Sequence, residues 1–288
     1  MKDKNFFLSG WIPAIGAALV IICLSVSLTV MFRPLYYFDI EHLQISEISG
    51  YTPQECRENY DALIDYNLLF GDKELVFPDM DMSREGRIHF EEVKDIFISM
   101  QIISAAGLAA FAAWVIRIRK NGAGRNRIIW MKYTGYVILT VIILAAGAMV
   151  IDWQWAFETM HAIFFDNDYW IFDPDTDPVI TILPDMFFYH CGILIVILAA
   201  VQIAALQLTY RRLAHGRRKK LFFRHYDRKI AEGSITFSKL GISKDEFTKL
   251  CTEEGYVPDE EMVRNLCTVM ELSEEETKEM ILTASRRY

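Results

Sequence analysis

Between residues 152 and 189 the chain has no lysine and no arginine, although eight carboxylates lie there, from Asp152 and Glu158 through Asp166, Asp168, Asp173, Asp175 and Asp177 to Asp185. Lysine and arginine collect on the cytoplasmic rim of membrane proteins, so their absence excludes this stretch from that rim. Cysteine is scarce as well, and the five in 288 residues fit no zinc spacing. The apolar block after Lys2 and Lys4 lacks a small-x-small cleavage site, and bulky Ile21 and Ile22 precede Cys23 where a lipoprotein acceptor needs small residues. That block is longer than the apolar region of a secretory leader and reads as a retained span. Internal repeats and low-complexity tracts are missing too.

What the chain has in quantity is apolar sequence in long runs. It is 52% hydrophobic with a mean hydropathy of +0.17 despite 24% charged residues, so the apolar residues are segregated from the charges. Four runs, 11–32, 96–116, 128–151 and 190–210, each offer about 20 residues, enough to cross a hydrocarbon core roughly 30 Å thick. The link between the second and third runs carries Arg117, Arg119, Lys120, Arg125 and Arg127, and the stretch after the fourth carries Arg211, Arg212, Arg217, Arg218, Lys219 and Lys220. Both face the cytoplasm by the positive-inside rule. The fold class expected is therefore an all-α, multi-pass protein of the cell membrane with four transmembrane helices and both termini cytoplasmic. The regions 33–95 and 152–189 lie outside as two loops forming a small outer domain. Only Cys56 is clearly outside, and a lone thiol builds no disulfide framework. The net charge of -8 averages a basic inner rim with acidic outer loops and says little about partners.

The first outer region has helix signals of its own. Thr52-Pro53-Gln54-Glu55 combines capping-box spacing with proline at the first helical position. Cys56, Tyr60, Leu63 and Phe70 follow at helical spacing, with Gly71 as terminator, and this face is expected to pack on the second loop or lie in the interface. Ser83 is placed to cap a helix running through His89 into the second span. In the second outer region, Trp153, Trp155 and Phe157 form an aromatic belt, and a continued helix puts Trp153, Phe157, His161 and Phe164 near one stripe. Beyond 1–212, residues 221–288 turn into a mixed-charge helical module. It has capping boxes at Ser243/Glu246 and Ser273/Glu276, a helix start at Val257-Pro258, and Leu250, Val263, Leu266, Val269 and Leu272 as its core.

His89 and His161, each just beyond a span on the outer side, are the strongest candidates for chemistry, because imidazole exchanges protons near neutrality. Glu92 is one helical turn from His89 on the same face, and Glu158 or Asp168 is near His161, so each ring has a carboxylate to fix its tautomer. The competing reading is two ordinary interfacial histidines. Asp173-x-Asp175-x-Asp177 begins like a calcium loop, but Pro178 and Pro184 occupy the positions of the required Gly and Glu, leaving a solvated acidic loop and no metal site. His42 has no evident partner and reads as structural, and His190 reads as an interface anchor.

Two segments resemble the signatures of the lipoprotein intramolecular transacylases, a family of four-span bacterial membrane proteins. They are SREGRIHFEEVKDIF (83–97) and HAIFFDNDYWIFDPDTDPVITILPDMFF (161–188), and Tyr60-x-x-Leu63 with Tyr66 resembles the family's first outer segment. The likeness covers roughly residues 10–212 and implies that His89 and His161 are the two catalytic histidines, one acting as base and the other as protonated acid. Glu92, which stands where the family commonly has Asp, is implied to position His89, with Asn167, Asp168 and Trp170 positioning substrate. The implied reaction moves the sn-2 acyl chain of a diacylglyceryl-modified N-terminal cysteine onto that cysteine's own α-amine, giving a lyso-form lipoprotein, with no cofactor and no metal. Bacterial lipoproteins and membrane lipid are the partners it implies. Two alternatives stay open: a lipid acyl hydrolase using the same histidines, and a membrane-tethered sensor acting through the tail. That tail is loosely similar to a repressor-type helix-turn-helix, but Glu260, Glu261, Glu271, Glu274, Glu275 and Glu276 oppose phosphate. Protein contact is favoured there over nucleic acid, with the partner unknown.

Overall fold

The computed structural model describes residues 2–121, 125–253, 256 and 258–284. Among them every regular element is helical. Four helices are long and apolar enough to cross a membrane: α1 (Lys2–Met31), α5 (Arg84–Asn121), α6 (Arg125–Ile151) and α9 (Asp185–Ala231). Between them lie α2 (Arg33–His42), α3 (Ile45–Ser49), α4 (Pro53–Tyr66), α7 (Trp153–Phe164) and the short α8 (Val179–Ile182). Large side chains such as Ile102, Leu108, Leu144 and Ile197 stand exposed on the long helices, the reverse of a soluble core and the surface a lipid-facing helix needs. Polar groups in α1 are satisfied locally: the Ser25, Ser27 and Thr29 hydroxyls donate to carbonyls four residues back at 2.8, 2.8 and 2.9 Å, and Gln202 Nε2 donates to Ser25 Oγ at 2.8 Å.

The helices do not stop where the apolar runs stop. With 38 residues, α5 is about 57 Å long at 1.5 Å per residue, and its charged first turns, residues 84–95, project beyond the apolar stretch. Likewise α9 runs unbroken from Asp185 to Ala231, through the point near 212–221 where the composition changes.

Residues 15–114 and 134–203 make one compact unit. Its loops share one hydrophobic core in which Tyr36, Tyr60 and Phe90 meet Val179, Ile182 and Phe187. The Tyr36 and Tyr60 rings stack at 3.9 Å, and Tyr36 Oη donates to the Ile182 carbonyl at 2.9 Å, so the two loop regions pack on each other. The Thr52/Glu55 capping box starts α4 as expected, and Cys56, Tyr60 and Leu63 are buried along it. Phe70 is not part of that face. The helix ends at Tyr66, and Phe70, 97% exposed, lies outside it.

The second unit comprises 1–14, 115–133 and 204–288 as far as they are described. Here Leu221 and Phe222 at the end of α9 pack with a 3-10 turn (Phe237–Leu240), α10 (Lys244–Thr252), α11 (Glu260–Val269) and α12 (Glu274–Ala284). Both expected capping boxes form. Val263 and Leu266 are buried, but Val269 is exposed and Met270 takes the inner position. Asp259 caps α11, while Val257 lies outside the described residues. The acids of α12 are partly consumed by α9: Arg228 pairs with Glu276 at 2.8 Å and Arg224 with Glu279 at 3.4 Å.

Candidate active site

The site is built at the first turns of α5 and the last turns of α7. Ser83 Oγ accepts from the Gly86 N–H at 2.9 Å, capping α5, and the Ser83 N–H donates to Asp177 Oδ1 at 2.8 Å. Asp177 is buried, and Gly86 approaches it so closely that a Cβ there would stand 2.3 Å from Oδ1. Only glycine fits that approach. The solvated-loop reading holds for exposed Asp173 and Asp175 and is corrected for Asp177, which ties the second loop region to the start of α5.

From that anchored start α5 carries His89 and, one turn on, Glu92. Asp152 caps α7 by accepting from the Trp155 N–H at 3.0 Å, and α7 carries Phe157 and His161 with their rings 4.2 Å apart. Trp153, Phe157 and His161 follow one stripe as expected, but Phe164 turns outward and is exposed. Beyond α7 the chain folds back. Asn167 Oδ1 accepts from the Tyr169 N–H at 3.0 Å while its Nδ2 donates to Glu92 Oε1 at 2.9 Å. This bond joins residues 75 apart in sequence and closes an aromatic box. Trp170 stacks on His161 at 4.5 Å, Phe165 lies 4.7 Å from His89, and Phe172 lies 5.4 Å from it. Within the box the rings of His89 and His161 stand 6.2 Å apart, centroid to centroid.

Of the residues picked from sequence, His89, His161, Glu92, Asn167 and Trp170 come together. Asp168 is exposed, and among the described residues its carboxylate makes no hydrogen bond or ion pair. The ring partners differ from expectation. Glu92 bonds Asn167, and Nδ1 of His89 has no hydrogen-bond partner among the described residues although it is buried. Glu158 is exposed and takes a bond from Gln154. The group that fixes His161 is the Phe157 carbonyl, 2.9 Å from Nδ1. A carbonyl only accepts, so Nδ1 carries the hydrogen and the neutral ring keeps its lone pair on Nε2.

Both imidazoles are buried, at 6% and 8% exposure. Burial, reinforced by the charge His161 would carry, pushes His89 down to about 4. Burial lowers His161 as well, opposed by the bond to Phe157. Desolvation penalises the charged form, so both rings are neutral at pH 7. The sequence reading expects one of them protonated; the apolar box holds neither in that form.

The model of the family described as lipoprotein intramolecular transacylase Lit matches residues 12–188 of this chain. The chain belongs to that family. Among solved structures, it is similar to an in meso structure of the membrane integral lipoprotein intramolecular transacylase Lit from Bacillus cereus. The two share 30% identity over 75% of this chain and 98% of that one, with a TM-score of 0.67. Structures of the same protein with a histidine replaced by arginine or by alanine match at 29% identity and a TM-score of 0.63. Each covers 75% of this chain, and 94% and 96% of the other, respectively. No curated protein matches. This transacylase is thus an integral membrane acyltransferase. Sequence reasoning missed Phe165 and Phe172, which face His89, and Asp39, which is fully buried on α2 with both oxygens 2.9 Å from His190 Nδ1. An acid flanked by Tyr36, Tyr37, Phe38 and Ile40 was the available signal for Asp39.

Proposed function

We propose that this transacylase moves the sn-2 acyl chain of a diacylglyceryl-modified bacterial lipoprotein onto the α-amine of its N-terminal cysteine, with both loop regions outside the cell and both termini in the cytoplasm. The observation that carries the reading is the pair of buried neutral imidazoles in one aromatic box. The amine nitrogen attacks the ester carbonyl, and His161 Nε2 takes the amine proton. The imidazolium then returns that proton to the departing glyceryl oxygen as the carbon–oxygen bond breaks. His89, neutral, offers a ring N–H to the tetrahedral oxyanion. Amine and ester belong to one molecule, so the box need only fold the substrate into a reactive ring and keep water out. Exclusion of water favours transfer over the hydrolysis that the alternative reading requires. Residues 221–284 fall outside the family match, and no part in the chemistry is assigned to that module.

The test is mass spectrometry of lipoprotein N-terminal peptides from a host expressing this chain. Transfer conserves both acyl chains on the lipoprotein, whereas hydrolysis releases free fatty acid. His89→Ala and His161→Ala should each lower the rate by about 10²–10⁴. The double variant should be little worse than the poorer single, since groups acting as a unit are not additive. A folded, correctly inserted His161→Ala with full activity would refute the assignment.

A further inference from the structure

Glu92 is left with half of its carboxylate unused. Oε1 accepts from Asn167 Nδ2 at 2.9 Å, while Oε2 is buried and, among the described residues, takes no hydrogen bond. The Asn167 bond also fixes the carboxylate's orientation, because Asn167 is itself held by the Tyr169 N–H. One turn away on the same face, His89 Nδ1 is likewise buried without a hydrogen-bond partner among the described residues. Residues at that spacing have Cβ atoms on the order of 5–6 Å apart. The second loop region, which supplies Asn167, has no lysine or arginine between 152 and 189, and Oε2 takes no hydrogen bond from any described side chain. A buried carboxylate oxygen without a donor is costly, and the group that best relieves it is a cation with several N–H donors. The substrate carries such a group on its N-terminal cysteine, since an α-amine is protonated below about pH 8.

We infer that Glu92 anchors the α-ammonium of the substrate's N-terminal cysteine through Oε2, a reading that rests on the acyl transfer proposed above. The ammonium binds to Oε2 beside His89. Glu92 Oε2 takes one of its protons, which frees the lone pair for attack, and gives that proton up once the acylated product has left; the second proton goes to His161 as above. Glu92 thereby contacts substrate directly and selects a free N-terminus, so a lipoprotein whose amine is already acylated presents no cation and is refused. Its two oxygens divide the work: one is tied to the second loop region through Asn167, the other meets the substrate.

Two unreactive ligands test this with the full-length protein in detergent. One is a peptide beginning with a dialkyl-ether glyceryl cysteine and bearing a free α-amine; the other is the same molecule lacking the amine. Because neither turns over, failure of the catalytic assignment and failure of this inference are read separately. Wild type should bind the amine ligand about 10-fold or more tightly than the desamino ligand, the range of a hydrogen bond to a charged group. Glu92→Gln should lose most of that preference while binding the desamino ligand as wild type does, which also shows that the box is intact. In wild type the preference should fade as pH rises through the amine's titration near 8. That second measurement needs no variant, so it stands even if Glu92→Gln does not fold. An undiminished preference in Glu92→Gln, or a preference independent of pH across that range, would overturn the inference.

Discussion

The unit formed by 15–114 and 134–203 holds two imidazole sites built in opposite ways, one half-buried and one buried. At one, His190 gives Nδ1 to both oxygens of Asp39, a carboxylate with no exposure at all. At the other, His89 and His161 are enclosed by Phe157, Phe165, Trp170 and Phe172, and among the described residues no carboxylate hydrogen-bonds either ring. A carboxylate beside an imidazole consumes a nitrogen, whereas an apolar wall favours the neutral form and leaves nitrogens for a substrate. The first arrangement suits a fastening between α2 and the start of α9; the second suits chemistry.

Three experiments probe that contrast. The largest effect is expected from pH. His89 titrates at about 4 when folded against an ordinary value of 6.5, so between those values the unfolded chain binds more protons than the folded one. Stability should fall as pH drops from 6.5 to about 4, by about 3 kcal/mol from His89, with His161 acting in the same direction. The rate should be level through pH 6–8 as far as these rings decide it, and decline only below the ordinary histidine range. Thermal unfolding across pH in wild type and His89→Ala checks this; an identical slope in both proteins counts against a buried neutral His89.

Next in size is Asp39→Ala, which leaves the His190 Nδ1–H without its acceptor and should cost about 1.5–3 kcal/mol in unfolding. The rate per folded molecule should change little, the mirror image of His161→Ala. If the rate collapses while stability holds, Asp39 belongs to the chemistry and the contrast fails. Smallest is Asp168→Asn. Its exposed carboxylate has no partner among the described residues, so stability should stay within about 0.5 kcal/mol of wild type and the rate should be unaltered. A large loss of rate measured on lipoprotein peptides would show that the substrate reaches it.

The spans were legible because roughly 20 apolar residues in a row have few other uses. Their ends were not: α5 and α9 continue as water-compatible helix, and helical propensity does not change at a membrane surface. His89 and His161 were legible as a pair through the resemblance their flanking residues carry. Their partners were hidden for three separate reasons. Glu92 and Asn167 meet across 75 residues of sequence, and no periodicity reports such a contact. Asp177 differs from Asp173 and Asp175 in its burial and in its bond to the Ser83 N–H, neither of which a run of alternating acids can reveal. The group that orients His161 is main chain, and every residue has the same carbonyl.

That last point bears on how the site tolerates change. Because the Phe157 carbonyl belongs to the backbone, any residue placed at 157 supplies the same acceptor, so long as α7 keeps its turn. The choice of which imidazole nitrogen accepts a proton is thus insulated from side-chain drift, whereas a ring held by an aspartate is one base change away from losing its orientation. The aromatic wall at 157 can therefore change without altering which nitrogen of His161 carries the hydrogen. Random mutagenesis of position 157 should accordingly alter which acyl chains are accepted before it alters the tautomer of His161.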